Sequence, residues 1–165
     1  MRSSEGGLSR LTGLVGPGHA LFAYGTLQFP EVLEVLLGRV PSLEVAELPG
    51  WRAAMLPRRV YPGLVMADGG LARGSVLGDL TAAEWAILDA FEDDEYDLRQ
   101  VCVAGRSEPV WTYVWTADTD PGDWHRDRFA ADHLVSFAAR SVRWRCAPVE
   151  VVDPGASVGS ESAGG

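Results

Sequence analysis

Four consecutive acids, Glu92, Asp93, Asp94 and Glu95, follow a stretch in which Trp85, Leu88 and Phe91, with Ile87 beside them, recur at helical spacing. A carboxylate leaving such an apolar face is partly withdrawn from water. Burial raises the proton affinity of a carboxylate, and like-charged neighbours push the same way. The C-terminus of a helix disfavours an anion further. Together these are the conditions of a general acid or base, and Glu92, nearest the apolar face, is the candidate. The same run is also the pattern of a solvated surface turn, and its residues alone leave both readings open.

A second feature lies some way upstream. Leu21-Phe22-Ala23-Tyr24 is an apolar run dense enough for a buried strand, and Gly25 removes a side chain where the backbone must turn. Pro30 and Glu31 suit the first turn of a helix. A strand, a glycine turn and a helix start present backbone N–H groups to an anion or a carbonyl oxygen. An ordinary strand-to-helix connection has the same appearance. Asp118, Asp120, Asp123, His125 and Asp127 lack the glycine and terminal glutamate of a calcium loop. His125 and His133 are not at the spacing of a zinc helix. Asp132, His133 and Ser136 share one helix and cannot form a triad. No metal site is expected.

These residues need elements to position them. Residues 30–37 predict a helix with Val32, Leu33, Leu36 and Leu37 on one face and Gly38 as terminator. Residues 43–56 are extended, with a turn or bulge at Pro49-Gly50. Asp68-Gly69-Gly70 predicts a hairpin between Leu64-Val65-Met66 and residues 71–80, with tight bending at Gly74 and Gly78. Thr81 and Glu84 form a capping box at the start of the helix that ends in the acidic run. Residues 96–103 and 110–115 predict two strands, and Asp123 is expected to cap a helix over 124–139. Few helices alternate with strands, so an α+β domain with a largely antiparallel, bent sheet or small barrel fits. Residues 1–18 read as a disordered lead-in, 19–150 as a single domain and 151–165 as a disordered tail.

Composition narrows the partners. The net charge of −9 argues against a nucleic-acid or anionic-membrane partner, because a phosphate backbone needs a basic face. All 14 basic residues are arginine, for which no mechanism is read. Cys102 lies in an apolar run, where a buried, inert thiol is the default. The first eighteen residues contain no signal-like apolar region, and no stretch is long enough to span a membrane. A reduced cytoplasmic setting is expected.

Tyr24-Gly25-Thr26-Leu27 after a buried strand, then Leu88-Asp89-Ala90-Phe91-Glu92, then Tyr96 opening a strand, resembles the γ-glutamylcyclotransferase-like superfamily. That superfamily includes the γ-glutamylamine cyclotransferases and the plant avirulence-induced branch. Tyr61-Pro62-Gly63-Leu64-Val65 and Gly74-Ser75-Val76-Leu77 also stand where it has comparable segments. The resemblance spans residues 21–115. It implies a small mixed, largely antiparallel β-barrel flanked by helices. It implies that Tyr24, Gly25, Thr26 and Leu27 bind a γ-glutamyl group through their backbone and that Glu92 is the catalytic residue.

The implied reaction is intramolecular: the α-amine of a γ-glutamyl group attacks its own side-chain carbonyl, giving 5-oxoproline and a free amine or amino acid. It requires no cofactor. A carboxylate of raised proton affinity suits removal of the ammonium proton. Closing a five-membered ring asks mainly for a folded conformer. Tyr96 and Tyr113 are candidates for lining the pocket, and as ordinary barrel aromatics would look the same. Two positions depart from the family pattern: Asp93 replaces the usual glycine, and Leu98 stands where an arginine often lies. A non-catalytic ligand- or protein-binding protein on the same scaffold is the alternative. It is discriminated by whether Glu92 faces a cavity beside the Gly25 turn. A cyclotransferase that removes a γ-glutamyl protecting group in one biosynthetic pathway is a third possibility.

Overall fold

The computed structural model describes Arg10, Leu11, Val15 and residues 18–147. Its elements run β1 (Leu21–Ala23), a 3-10 turn (Thr26–Gln28), α1 (Pro30–Leu37), β2 (Ser42–Ala54), β3 (Gly63–Gly78), α2 (Ala82–Phe91), β4 (Tyr96–Val101), β5 (Val110–Trp115), α3 (Arg126–Asp132) and α4 (Leu134–Cys146). The strands form one mixed sheet in the order β2-β3-β1-β5-β4. The β2–β3, β3–β1 and β4–β5 pairs are antiparallel, and β1–β5 is parallel. The α+β class and the largely antiparallel sheet expected from sequence are both present.

The sheet curls because β1 is only three residues long. Beyond its end β3 meets β5 directly, at Leu64 and Val114. The outer edge of β2 is bridged but forms no ladder with β4: Ala104 N–H donates to the Glu47 carbonyl and Trp124 N–H to that of Ala53, both at 2.9 Å. The barrel is therefore incomplete. Alternation along β1 sends Leu21 and Ala23 into the core beneath the helices, and Phe22 and Tyr24 into a second core within the bend.

Asp68-Gly69-Gly70 is not a hairpin turn. Both halves of β3 pair with the same neighbour, from Ser42–Gly78 to Pro49–Leu71 and again from Trp51–Met66 to Ala54–Gly63. The strand leaves the ladder and re-enters it opposite Gly50, so the glycines build a bulge; Gly50 and Gly69 have φ of +84° and +70°. The helix expected over 124–139 is two helices. Residues 120–124 are engaged at the β2 edge, with Met55 N–H donating to the Gly122 carbonyl. Asp123 pairs with Arg52 at 3.0 Å, and the helix starts only at Arg126. It breaks at His133, which lets Phe129 pack on Phe29 while Phe137 packs on Phe91.

Cys102 is exposed, since Val101 and Val103 on either side turn inward. Three residues of the stretch read as a lead-in pack on the domain: Val15 lies in the core, Leu11 rests on it, and Arg10 meets the end of α2. Residues 151–165 lie outside the described residues. No helix among the described residues is long and apolar enough to cross a membrane.

Gly74 is the point where β3 touches β1. A Cβ there would lie 2.2 Å from the Ala23 carbonyl oxygen and 3.0 Å from Tyr24 Cα. Backbone cannot yield as a flexible side chain would, so Gly74→Ala should lose about 2–3 kcal/mol, measured by urea unfolding.

Candidate active site

Two elements position the candidate residues. The first is α2. Thr81 Oγ1 accepts from Glu84 N–H at 3.1 Å, and Glu84 Oε1 accepts from Thr81 N–H at 3.0 Å, which fixes the helix start. Trp85 and Leu88 are fully buried and lock its rotation. The helix ends at Phe91, so Glu92 becomes its C-cap, with N–H donating to the Leu88 carbonyl at 3.2 Å. The second element is the turn after β1. Gln28 N–H donates to the Gly25 carbonyl and Phe29 N–H to that of Thr26, both at 3.3 Å. Gln28 Nε2 ties back to the Tyr24 carbonyl at 2.8 Å. The N–H groups of Gly25, Thr26 and Leu27 enter no backbone hydrogen bond among the described residues outside regular elements. Gly25 is required by proximity, because a Cβ would lie 2.9 Å from Pro62 Cγ and Cδ.

One pocket, of about 500 Å³ including its mouth, is lined by all seven residues singled out from sequence: Tyr24, Gly25, Thr26, Leu27, Glu92, Tyr96 and Tyr113. Glu92 therefore shares a cavity with the Gly25 turn, while Asp94 is exposed on the surface. Leu21, Phe22, Phe91 and Phe137 complete a largely apolar wall.

The three tyrosine hydroxyls are fixed. Tyr24 Oη donates to the Tyr113 carbonyl at 2.5 Å and accepts from Leu64 N–H at 3.2 Å. Tyr96 Oη donates to the Pro62 carbonyl at 2.6 Å, and Tyr113 Oη to Asp89 Oδ1 at 2.9 Å. Burial pushes all three phenols well above their ordinary range, and the Glu92 charge adds to this. They are neutral donors that shape the wall.

Glu92 is different. Burial pushes its carboxyl up to about 7; the Arg10 charge opposes this and Asp89 reinforces it. The acids that follow Glu92, expected from sequence to repel it, are engaged elsewhere. Asp93 accepts from the Tyr61 hydroxyl and lies 3.6 Å from Arg59 Nε, and Glu95 accepts from Arg59 Nη2 at 3.2 Å. The repelling charge is instead Asp89, one helical turn back. Glu84 on the same helix shows the opposite behaviour. Arg39 donates to both its oxygens, at 2.7 and 2.8 Å, and holds its carboxyl below the usual range.

Arg10, Arg59, Tyr61 and Asp89 belong to the site or its support; Tyr61 and Asp89 stand in the segments that carry the resemblance, and none of the four is given a site role by the sequence. Asp89 had a signal, its i−3 position relative to Glu92. Arg10 had none. Asp93, where the resemblance implies glycine, is drawn into the wall by Tyr61 and Arg59. Leu98, where it implies arginine, is half-buried and pairs across the ladder with Tyr113. No group of three or more His, Cys, Asp or Glu that could hold a metal ion occurs among the described residues.

Comparison with known proteins agrees with this architecture. The family described as "Gamma-glutamyl cyclotransferase, AIG2-like" matches residues 21–128. The chain is 44% identical over 131 residues to AIG2-like protein C of Arabidopsis thaliana, across 75% of this chain and 76% of that protein. A solution structure from Arabidopsis thaliana superposes with a TM-score of 0.57 at 33% identity, covering 76% of this chain and 89% of that one. A solved structure named Gamma-glutamyl cyclotransferase gives a TM-score of 0.57 over 88% of this chain and 94% of its own; at 15% identity it shows the fold alone. The family match takes in every strand of the sheet and the pocket-lining residues other than Phe137, and on that ground the chain belongs to the gamma-glutamyl cyclotransferase, AIG2-like family.

Proposed function

We propose that the protein cyclises a γ-glutamyl group to 5-oxoproline and releases an amine or amino acid, with Glu92 as general base and then general acid. One observation carries this: Glu92, poised near neutrality, lines the same pocket as the Gly25–Leu27 turn with its available N–H groups. The substrate is a small molecule that enters with its α-nitrogen as an ammonium ion. Glu92 takes one of its protons, and the freed amine attacks the γ-carbonyl carbon. The N–H groups of the turn face the oxyanion that forms, where a fixed donor is worth most. The tetrahedral centre collapses, the C–N bond to the leaving group breaks, and Glu92 passes the proton on to the departing nitrogen. The regenerated carboxylate then takes the second proton from the new ring nitrogen and hands it to the released amine, so both protons lost by the α-nitrogen end on the leaving group and Glu92 returns to its starting state. The apolar wall limits competing attack by water.

The test is release of 5-oxoproline from a panel of γ-glutamyl amino acids and γ-glutamyl amines. Turnover is expected, with kcat/KM falling below a pH of about 7, where Glu92 becomes protonated. A folded protein that binds members of the panel and releases no 5-oxoproline would be the binding protein on the same scaffold.

A further inference from the structure

We propose that Arg10, contributed by the segment ahead of β1, is a positioning residue for the Glu92 carboxylate, clamping the C-terminal end of α2 and setting a fixed positive charge behind it. The inference rests on the reading of Glu92 as the base.

Among the described residues the guanidinium makes five hydrogen bonds, to the end of α2, to the start of β4 and to the residues between them. Nε donates to Asp89 Oδ1 at 2.9 Å, and Nη2 donates to the carbonyls of Asp89 and Glu92 at 2.5 and 3.2 Å. Nη1 donates to the carbonyls of Asp93 and Tyr96 at 2.6 and 2.9 Å. The last carbonyls of a helix have no partner within it, and a cation is favoured there. Arg10 meets both needs at once. It also fixes the path of the chain on either side of Glu92, from Asp89 through to Tyr96. The ion pair with Asp89 is largely buried, with side chains 13% and 5% exposed. The guanidinium lies 5.2 Å from the centre of the Tyr113 ring, whose hydroxyl donates to the same Asp89 oxygen. One side chain therefore links the base, the helix that carries it and a pocket tyrosine.

The charged and titratable groups around Glu92 come from several elements. Asp89 lies on α2, Tyr24 on the turn after β1, and Arg59 and Tyr61 on the loop after β2. Asp93 follows directly, and Tyr96 and Tyr113 stand on β4 and β5. Asp93 is held by Arg59 and Tyr61, and the tyrosines are neutral, so among the described residues Arg10 and Asp89 are the charges that act most directly on Glu92.

The test separates charge from shape. Arg10→Gln keeps donors and loses the charge; Arg10→Lys keeps the charge and loses the fork. Glu92 is followed directly, by carbon-13 NMR titration of glutamate-labelled protein, assigned by its loss in Glu92→Gln. In Arg10→Gln the Glu92 titration should rise by about one unit. In Arg10→Lys it should stay within about half a unit of wild type, while kcat falls because the clamp is incomplete. A Glu92 titration in Arg10→Gln equal to wild type would overturn the proposal. If that variant does not fold, the lysine variant decides: a matching titration supports the charge, and a shift of more than about one unit overturns it. The titration does not depend on turnover, so absence of 5-oxoproline from wild type would remove the proposed reaction without being mistaken for failure of the Arg10–Glu92 link.

Discussion

Glu92→Gln is expected to lower 5-oxoproline release by about 10²–10⁴-fold or more while making the protein more stable at alkaline pH. The loss follows from chemistry. A glutamine is close in shape to the protonated acid and cannot accept the ammonium proton, so substrate still binds and the amine stays unreactive. The gain follows from linkage. Folded Glu92 releases its proton at about 7, against 4.5 for an ordinary glutamate. Between those values the native state binds more protons than the unfolded chain. The associated stability is present in acid and is lost as pH rises through about 7. The gap corresponds to about 3 kcal/mol, as an order of magnitude. Glutamine carries no charge and escapes the loss. Urea unfolding of both proteins at about pH 5 and about pH 8 should show the variant gaining roughly 2–3 kcal/mol on wild type over that interval. Retained turnover would remove Glu92 from the mechanism. A gap that does not widen with pH would mean that Glu92 is not desolvated in the native state.

The sequence is informative where the determinants are local. Thr81 and Glu84 lie three residues apart and make the box their spacing predicts. Gly38 ends α1 in the left-handed conformation, with φ of 73°. Tyr24 and Gly25 stand at the end of a strand whose burial is evident from its apolar run. Two expectations that failed turned on contacts made elsewhere in the chain. Asp68-Gly69-Gly70 has the residues of a hairpin, and only the length of β2, which pairs with both halves of β3, makes it a bulge. Phe129, His133 and Phe137 keep helical spacing across a break, because an i to i+4 pattern persists when two helices abut end to end. In the site the same division holds. The pocket lining was legible as motifs, whereas the charge balance on Glu92 was assigned to its sequence neighbours and belongs instead to Asp89 and Arg10. Arg10 lies 79 residues from Asp89, in a stretch rich in glycine and serine where no motif points to a partner at the end of α2.

That balance gives the second large effect. Asp89→Ala should destabilise the protein by about 3–5 kcal/mol, because it leaves a buried guanidinium without its counter-ion and the Tyr113 hydroxyl without its acceptor. Asp89→Asn should cost less, since an amide oxygen can still accept. It therefore isolates the electrostatic part. Asp89 raises the proton affinity of Glu92, so removing its charge should move the Glu92 titration downward, opposite in sign to Arg10→Gln. The acid limb of kcat/KM should move with it, extending activity to lower pH. A loss of packing or a general loosening of the helix end would move both variants the same way, since either lets water reach the carboxylate. Opposite shifts require that the carboxylate respond to the sign of the charge beside it. The double variant Arg10→Gln, Asp89→Asn then bears on the same point. If the pair acts on Glu92 chiefly through opposed fields, its titration returns toward wild type, while stability remains below it because the helix-end clamp is gone. A titration in Asp89→Asn that rises would show that desolvation, through the integrity of this corner, outweighs the charges, and the balance drawn around Glu92 would have to be abandoned.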